Sequence, residues 1–113
     1  MKTPNRVPTV LLAAALATPL PALAETHAAS ALEHATEAAN ARDSKSVAEH
    51  ARKALEHTEQ AKAAVEPGSE AARHLEQGES HLRHAVKNAD RYNTNSAIDA
   101  AQDSAKHLNA VSP

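Results

Sequence analysis

The sequence predicts an all-α protein, an antiparallel up-down-up-down four-helix bundle built from two related helical hairpins. Three observations carry that expectation. Alanine dominates a chain with only two glycines and one aromatic residue, Tyr92, and alanine is the strongest helix former. Apolar residues recur at steps of three and four, the period of a helix with one buried face. Short polar breaks divide the chain into segments of helix length, and short connections between amphipathic helices give antiparallel neighbours.

The first element is read as an address and not as part of the fold. Lys2 and Arg6 form a basic start, "VLLAAALA" (10–17) an apolar run, and "ALA" (22–24) a small-x-small cleavage site before Glu25. This order is that of a secretory signal peptide over residues 1–24, too short and too interrupted by Pro19 and Pro21 to span a bilayer. The mature protein is expected to run over 25–113, in the periplasm, off the membrane once cleaved, and as a monomer.

Within 25–113 the breaks are "ARDSKS" (41–46), "EPGS" (66–69) and "RYNTNS" (91–96). Thr26 is expected to cap the first helical segment. "SVAE" (46–49) reads as a capping box opening the second, in which Ser46 and Glu49 satisfy each other's free amides. Pro67 and Gly68 end it, and Ser69 with Glu70 begins the third. "SAID" (96–99) is expected to begin the fourth, with Asp99 in the first turn, where the helix dipole favours an acid. The core stripe of the second segment is Val47, Ala51, Ala54, Leu55, Thr58, Ala61 and Val65; that of the third is Ala71, Leu75, Gly78, Leu82, Ala85, Val86 and Ala89. So many alanines bury little area, which predicts marginal stability and a gain on ligand binding.

Composition narrows the function. Removing Lys2 and Arg6 leaves 10 basic residues against 14 acidic ones, a net charge of −4 for 25–113. Nucleic acid and anionic lipid need a basic face, so neither is expected as a partner. There is no cysteine and the one methionine is the initiator, so any transition-metal site must be built from imidazole and carboxylate. No "HExxH", "CxxCH", phosphate-binding glycine loop or triad-like arrangement occurs, so no enzyme is expected.

Histidine is the anomaly. All eight lie in 25–113, and seven of them stack when the segments "HAASALEH" (27–34), "HARKALEH" (50–57), "HLEQGESH" (74–81) and "AAQDSAKH" (100–107) are aligned. The first hairpin is thus repeated as the second, with Ala100 where the pattern would place a histidine. His27, His34, His50, His57, His74, His81 and His107 each precede a core position by one residue, which puts the imidazoles on the flank of the apolar stripe. His84 is the extra one.

The seven-residue step is about 10 Å along a helix, so two histidines of one segment cannot share an ion. Partners must stand three or four residues away or on another helix. Glu37 serves His34, Glu70 serves His74, Asp103 serves His107, and His81 has His84; His27, His50 and His57 have no such neighbour. Antiparallel register around Arg42 supplies them, setting His34 level with His50 and His27 with His57. Extended through the later turns, it predicts a layer of His27, His57, His74 and His107 and a second of His34, His50, His81 and His84. All eight histidines are therefore candidate metal ligands, with Glu37, Glu70 and Asp103 as auxiliary ones.

"ALEHATEA" (31–38), "AEHARKALEH" (48–57) and "HLRHAVKNAD" (81–90) resemble the small metal-binding protein family. The resemblance implies an exported, cysteine-free, His-rich bundle with a seven-residue repeat that binds Cu(II) and other divalent metals in the periplasm. This chain has fewer histidines than that pattern, one in its last segment and none at its terminus. The combined expectation is binding of Cu(II), with Ni(II) or Zn(II) as further ions, for buffering, scavenging or delivery. The rival expectation is a metal-free interaction or stress-related holdase module, whose mark would be a long exposed apolar stripe.

Overall fold

A computed structural model describes residues 20–111, with side chains from residue 22 onward. Four helices follow one another: α1 (Leu20–Asn40), α2 (Ser44–Ala63), α3 (Glu70–Asp90) and α4 (Thr94–Val111). Each packs against two neighbours, α1 on α2 and α4, α3 on α2 and α4, so the helices form a square antiparallel bundle. Most of the leader read in the sequence lies outside the described residues; α1 runs across the expected cleavage point between Ala24 and Glu25.

Helix starts differ from expectation at three of the four elements. Thr26 is not a cap but an interior residue of α1, and its hydroxyl donates to the Ala22 carbonyl at 2.9 Å. The second helix is capped by Asp43, not by a Ser46–Glu49 box. Asp43 has extended backbone, φ −134° and ψ 156°, and its carboxylate accepts from the Ser46 amide at 2.8 Å and from the Ser46 hydroxyl at 3.1 Å. Those bonds hold its carboxyl below the ordinary carboxylate value. Because the helix already begins at Ser44, Ser46 lies inside its first turn, and its amide is one of the free donors that the Asp43 carboxylate satisfies. The fourth helix starts at Thr94, so Asp99 falls in the second turn. Only Ser69 caps where predicted, accepting from the Ala72 amide at 3.1 Å, with Glu70 in the first turn.

The turns are closed by local bonds. Gly68 has φ +82° in the α2–α3 connection, where glycine meets no Cβ penalty. After α3, Tyr92 takes φ +63°, its amide donates to the Ala89 carbonyl at 2.9 Å, and the Asn93 amide donates to the Asn88 carbonyl at 2.8 Å. That pair of bonds is a Schellman closure, built here on a tyrosine instead of glycine. Ser44 and Thr94 hydroxyls hydrogen-bond each other, fixing the starts of α2 and α4 side by side.

The core is thin, as the alanine content requires. Leu75, Leu82, Leu108 and Val47 are its largest fully buried apolar side chains, and α1 contributes Ala28, Ala31, Ala35 and Ala38. Gly78 is buried against Leu108, whose Cδ2 would stand 3.1 Å from a Cβ added there. The repeat is visible in the burial. Ala28, Ala31, Ala35 and Ala38 on α1 correspond to Leu75, Gly78, Leu82 and Ala85 on α3; Val47, Ala51, Ala54 and Thr58 on α2 correspond to Ala97, Ala101, Ser104 and Leu108 on α4.

The Arg and Lys ion pairs between helices and the imidazole stacks occupy different seams. The α2–α3 seam carries ion pairs: Arg52 with both oxygens of Asp90 at 3.0 and 2.9 Å, Lys62 with Glu79 at 2.8 Å, and Arg83 with Glu59 at 3.3 Å, Arg83 being held also by Glu79 of its own helix at 2.7 Å. The histidines flank the two hairpin seams, α1–α2 and α3–α4, on opposite sides of the bundle.

Candidate metal centre

Each histidine sits one position before a buried residue, so its ring emerges at the edge of a helix–helix seam. Seven of the eight are half-buried there; His84 is exposed. Because helical side chains lean toward the N-terminus of their own helix, rings on antiparallel neighbours approach one another from opposite directions and interleave.

On the α1–α2 seam the rings form a ladder. His27 and His57 stack with centroids 5.5 Å apart, His57 and His34 at 5.5 Å, His34 and His50 at 6.3 Å. The expected level pairs, 27 with 57 and 34 with 50, are both present; the diagonal contact between His34 and His57 was not foreseen from register. The Nδ1 atoms of His27 and His57 are 3.3 Å apart.

Glu37 enters the same ladder from α1. Its Oε1 lies 2.9 Å from His34 Nδ1 and 3.2 Å from His50 Nδ1. The His50 contact is off the direction of a hydrogen bond, so that nitrogen is buried without a hydrogen-bonding partner. One donor atom from each of His34, Glu37 and His50 falls within 4.8 Å of the other two. Around an ion with bonds of about 2.0–2.1 Å, neighbouring donors stand roughly 2.9–3.4 Å apart at right to tetrahedral angles. The two Glu37 contacts and the His27–His57 contact all have that length.

The α3–α4 seam repeats the ladder with one rung missing. His74 and His107 have centroids 5.9 Å apart, and His81 and His107 5.3 Å. Ala100 occupies the place equivalent to His50, and His84 the place equivalent to Glu37. Burial holds the His107 imidazolium below its ordinary pKa, helped by His81 and His74 and opposed by Asp103; the neutral ring is the form that ligates. His74 Nδ1 is buried without a hydrogen-bonding partner.

The auxiliary acids divide. Glu37 joins two histidines. Asp103 stands 3.9 Å from Lys106 and acts on His107 through charge. Glu70 is exposed in the first turn of α3 and shares no bond with His74 among the described residues. Asp99, read from the sequence as a first-turn acid and not as a ligand, lines an open cleft of about 420 Å³ with His81, His84 and Asp103; its four-residue spacing from Asp103 on α4 was the available signal.

The four-histidine layers are corrected. Among the described residues no stacked imidazole pair joins the two hairpins. Register assigns levels along the axis correctly within a hairpin. It says nothing about azimuth, and the flanking position turns the two sets of rings to opposite faces.

Among the described residues no helix is long and apolar enough to cross a membrane. A family model described as small metal-binding protein matches residues 4–111. No curated protein and no solved structure matches.

Proposed function

We propose that this chain, which belongs to the small metal-binding protein family, takes up divalent transition-metal ions along its two hairpin seams, Cu(II) most strongly and Ni(II) and Zn(II) less so. The observation that carries the reading is the convergence of His34, Glu37 and His50 from two helices onto one point. Imidazole with carboxylate suits all three ions, and the general affinity order places Cu(II) first. The α3–α4 ladder of His74, His107 and His81 adds nitrogen donors without carboxylate inside the stack.

Half-exposed donors on short-cored helices favour several ions of modest affinity over one rigid centre. That suits buffering, scavenging or delivery in the periplasm, with no catalysis. Ligation needs neutral imidazole, so binding weakens as pH falls below about 6.5. Calorimetric titration of residues 25–113 with Cu(II), beside His34→Ala/His50→Ala, tests the reading. The double variant should lose one class of bound ion; an unchanged isotherm, or no heat in the parent, would defeat it.

A further inference from the structure

We propose that cleavage after Ala24 creates a separate Cu(II) site at the new N-terminus, formed by the α-amino nitrogen of Glu25, the backbone amide nitrogens of Thr26 and His27, and Nδ1 of His27. It rests on the leader reading, because only a chain beginning "ETH" (25–27) has a free amine two residues before a histidine.

The amine, two successive amides and an imidazole at the third residue supply four nitrogens in sequence. They close fused chelate rings around one ion in a plane, the geometry Cu(II) and Ni(II) favour and Zn(II) does not. On binding, the ammonium and the two amides each release a proton to solvent, and the imidazole ligates through Nδ1 with its proton on Nε2. An α-amino group with an ordinary pKa of about 7.7–8.0 is readily displaced of its proton by the ion at neutral pH.

The fold explains why the cut matters. In the uncut chain, α1 begins at Leu20, and its geometry directs the amides of Thr26 and His27 to the carbonyls four residues back, those of Ala22 and Leu23. The Thr26 hydroxyl also bonds the Ala22 carbonyl. Removing residues 1–24 removes all these acceptors. Thr26 and His27 then lie in the first turn of a shortened helix, where amides have no partner within the helix. The His27 ring leans toward the N-terminus, hence toward the new amine. His57 Nδ1, 3.3 Å from His27 Nδ1, stands where a further nitrogen donor would, tying the start of the chain to α2.

The test uses protein exported from the full-length gene, its N-terminus read by intact mass, and titrated with Cu(II) under visible absorption and circular dichroism. Expected are a mass starting at Glu25 and one ion per chain with the violet band of a planar four-nitrogen complex, distinct from the blue of imidazole–carboxylate sites. An alanine inserted between Glu25 and Thr26 keeps His27 beside His57 but moves it to the fourth residue. It should abolish the violet band and leave the seam ions bound. A different N-terminus overturns the inference through its premise. A correct N-terminus with no violet band, or with one that survives the insertion, overturns the chelate itself. Failure of the seam reading has its own signature: no Cu(II) bound by the insertion variant.

Discussion

Oε1 of Glu37 lies 3.2 Å from Nδ1 of His50, across the three-residue turn that joins α1 to α2. The same oxygen lies 2.9 Å from His34. One carboxylate therefore brings together two imidazoles that the chain separates by sixteen positions. A carboxylate between two neutral imidazoles supplies a third donor to a cation.

Glu37→Gln keeps the shape and removes the charge. Outer partners of ligating imidazoles are typically worth 10–100-fold in metal affinity, and a charged donor is worth at least as much, so the variant should weaken the α1–α2 ion by at least about tenfold. The α3–α4 ions should be unaffected, as competition with a chromophoric chelator would read out.

Ala100→His restores the missing rung. Ala100 is half-buried at the α3–α4 seam, opposite His81 in the arrangement that sets His50 opposite His34. With His84 in the place of Glu37, the variant should bind one additional Cu(II) per chain by equilibrium dialysis. The circular dichroism of the apo protein should stay unchanged.

Glu79 supplies a pH dependence. Burial alone would raise its carboxyl, but hydrogen bonds from Lys62 and Arg83 outweigh burial and hold it below the ordinary value. A depressed folded-state pKa stabilises the fold above the unfolded value of the group, and that stabilisation is lost as pH falls through the folded value. Urea unfolding of the apo protein should therefore weaken on the acid side of about pH 4.5, the ordinary glutamate value. Glu79→Gln should lose roughly 1 kcal/mol at pH 7 and much less at pH 3.

Gly78 leaves no room for a side chain against Leu108, whose Cδ2 would stand 3.1 Å from an added Cβ. Gly78→Val forces a branched side chain onto a fully buried leucine and should cost about 1–3 kcal/mol. Leu75→Ala, which empties the same thin core, should cost about 2–5 kcal/mol. Chemical denaturation of the apo protein measures both, and saturating Cu(II) should recover part of each loss.

The corrected cap has its own check. Asp43→Ala removes the acceptor of the Ser46 amide and should lower the melting temperature, whereas Glu49→Gln should leave it unchanged. The reverse outcome would favour a box at Ser46.

Fold class, helix count and the core were legible because alanine-rich helical periodicity leaves few alternatives. Val47, Ala51, Ala54, Thr58 and Ala61, marked as core by spacing, are all buried, whereas Leu55, Val65, Ala71 and Val86, marked likewise, are only half-buried. Helix starts were less legible: Asp43, Ser44 and Ser46 can all cap, and which one does depends on where the preceding turn delivers the chain. Cross-helix pairings within a hairpin were also legible, since a turn of three residues fixes which positions of α1 and α2 are level. That is how His27 with His57 and His34 with His50 followed from sequence alone.

What the sequence determined by itself is therefore axial: which residues are helical, which are buried, and which histidines stand level. What the tertiary structure decided is azimuthal. Crossing and rotation of the packed helices set the two ladders on opposite faces, turned Glu37 toward His50, and left His84 outside the stack. The reason is physical: spacing along a helix fixes rise, while the direction a flanking side chain takes is set by the neighbour that covers it.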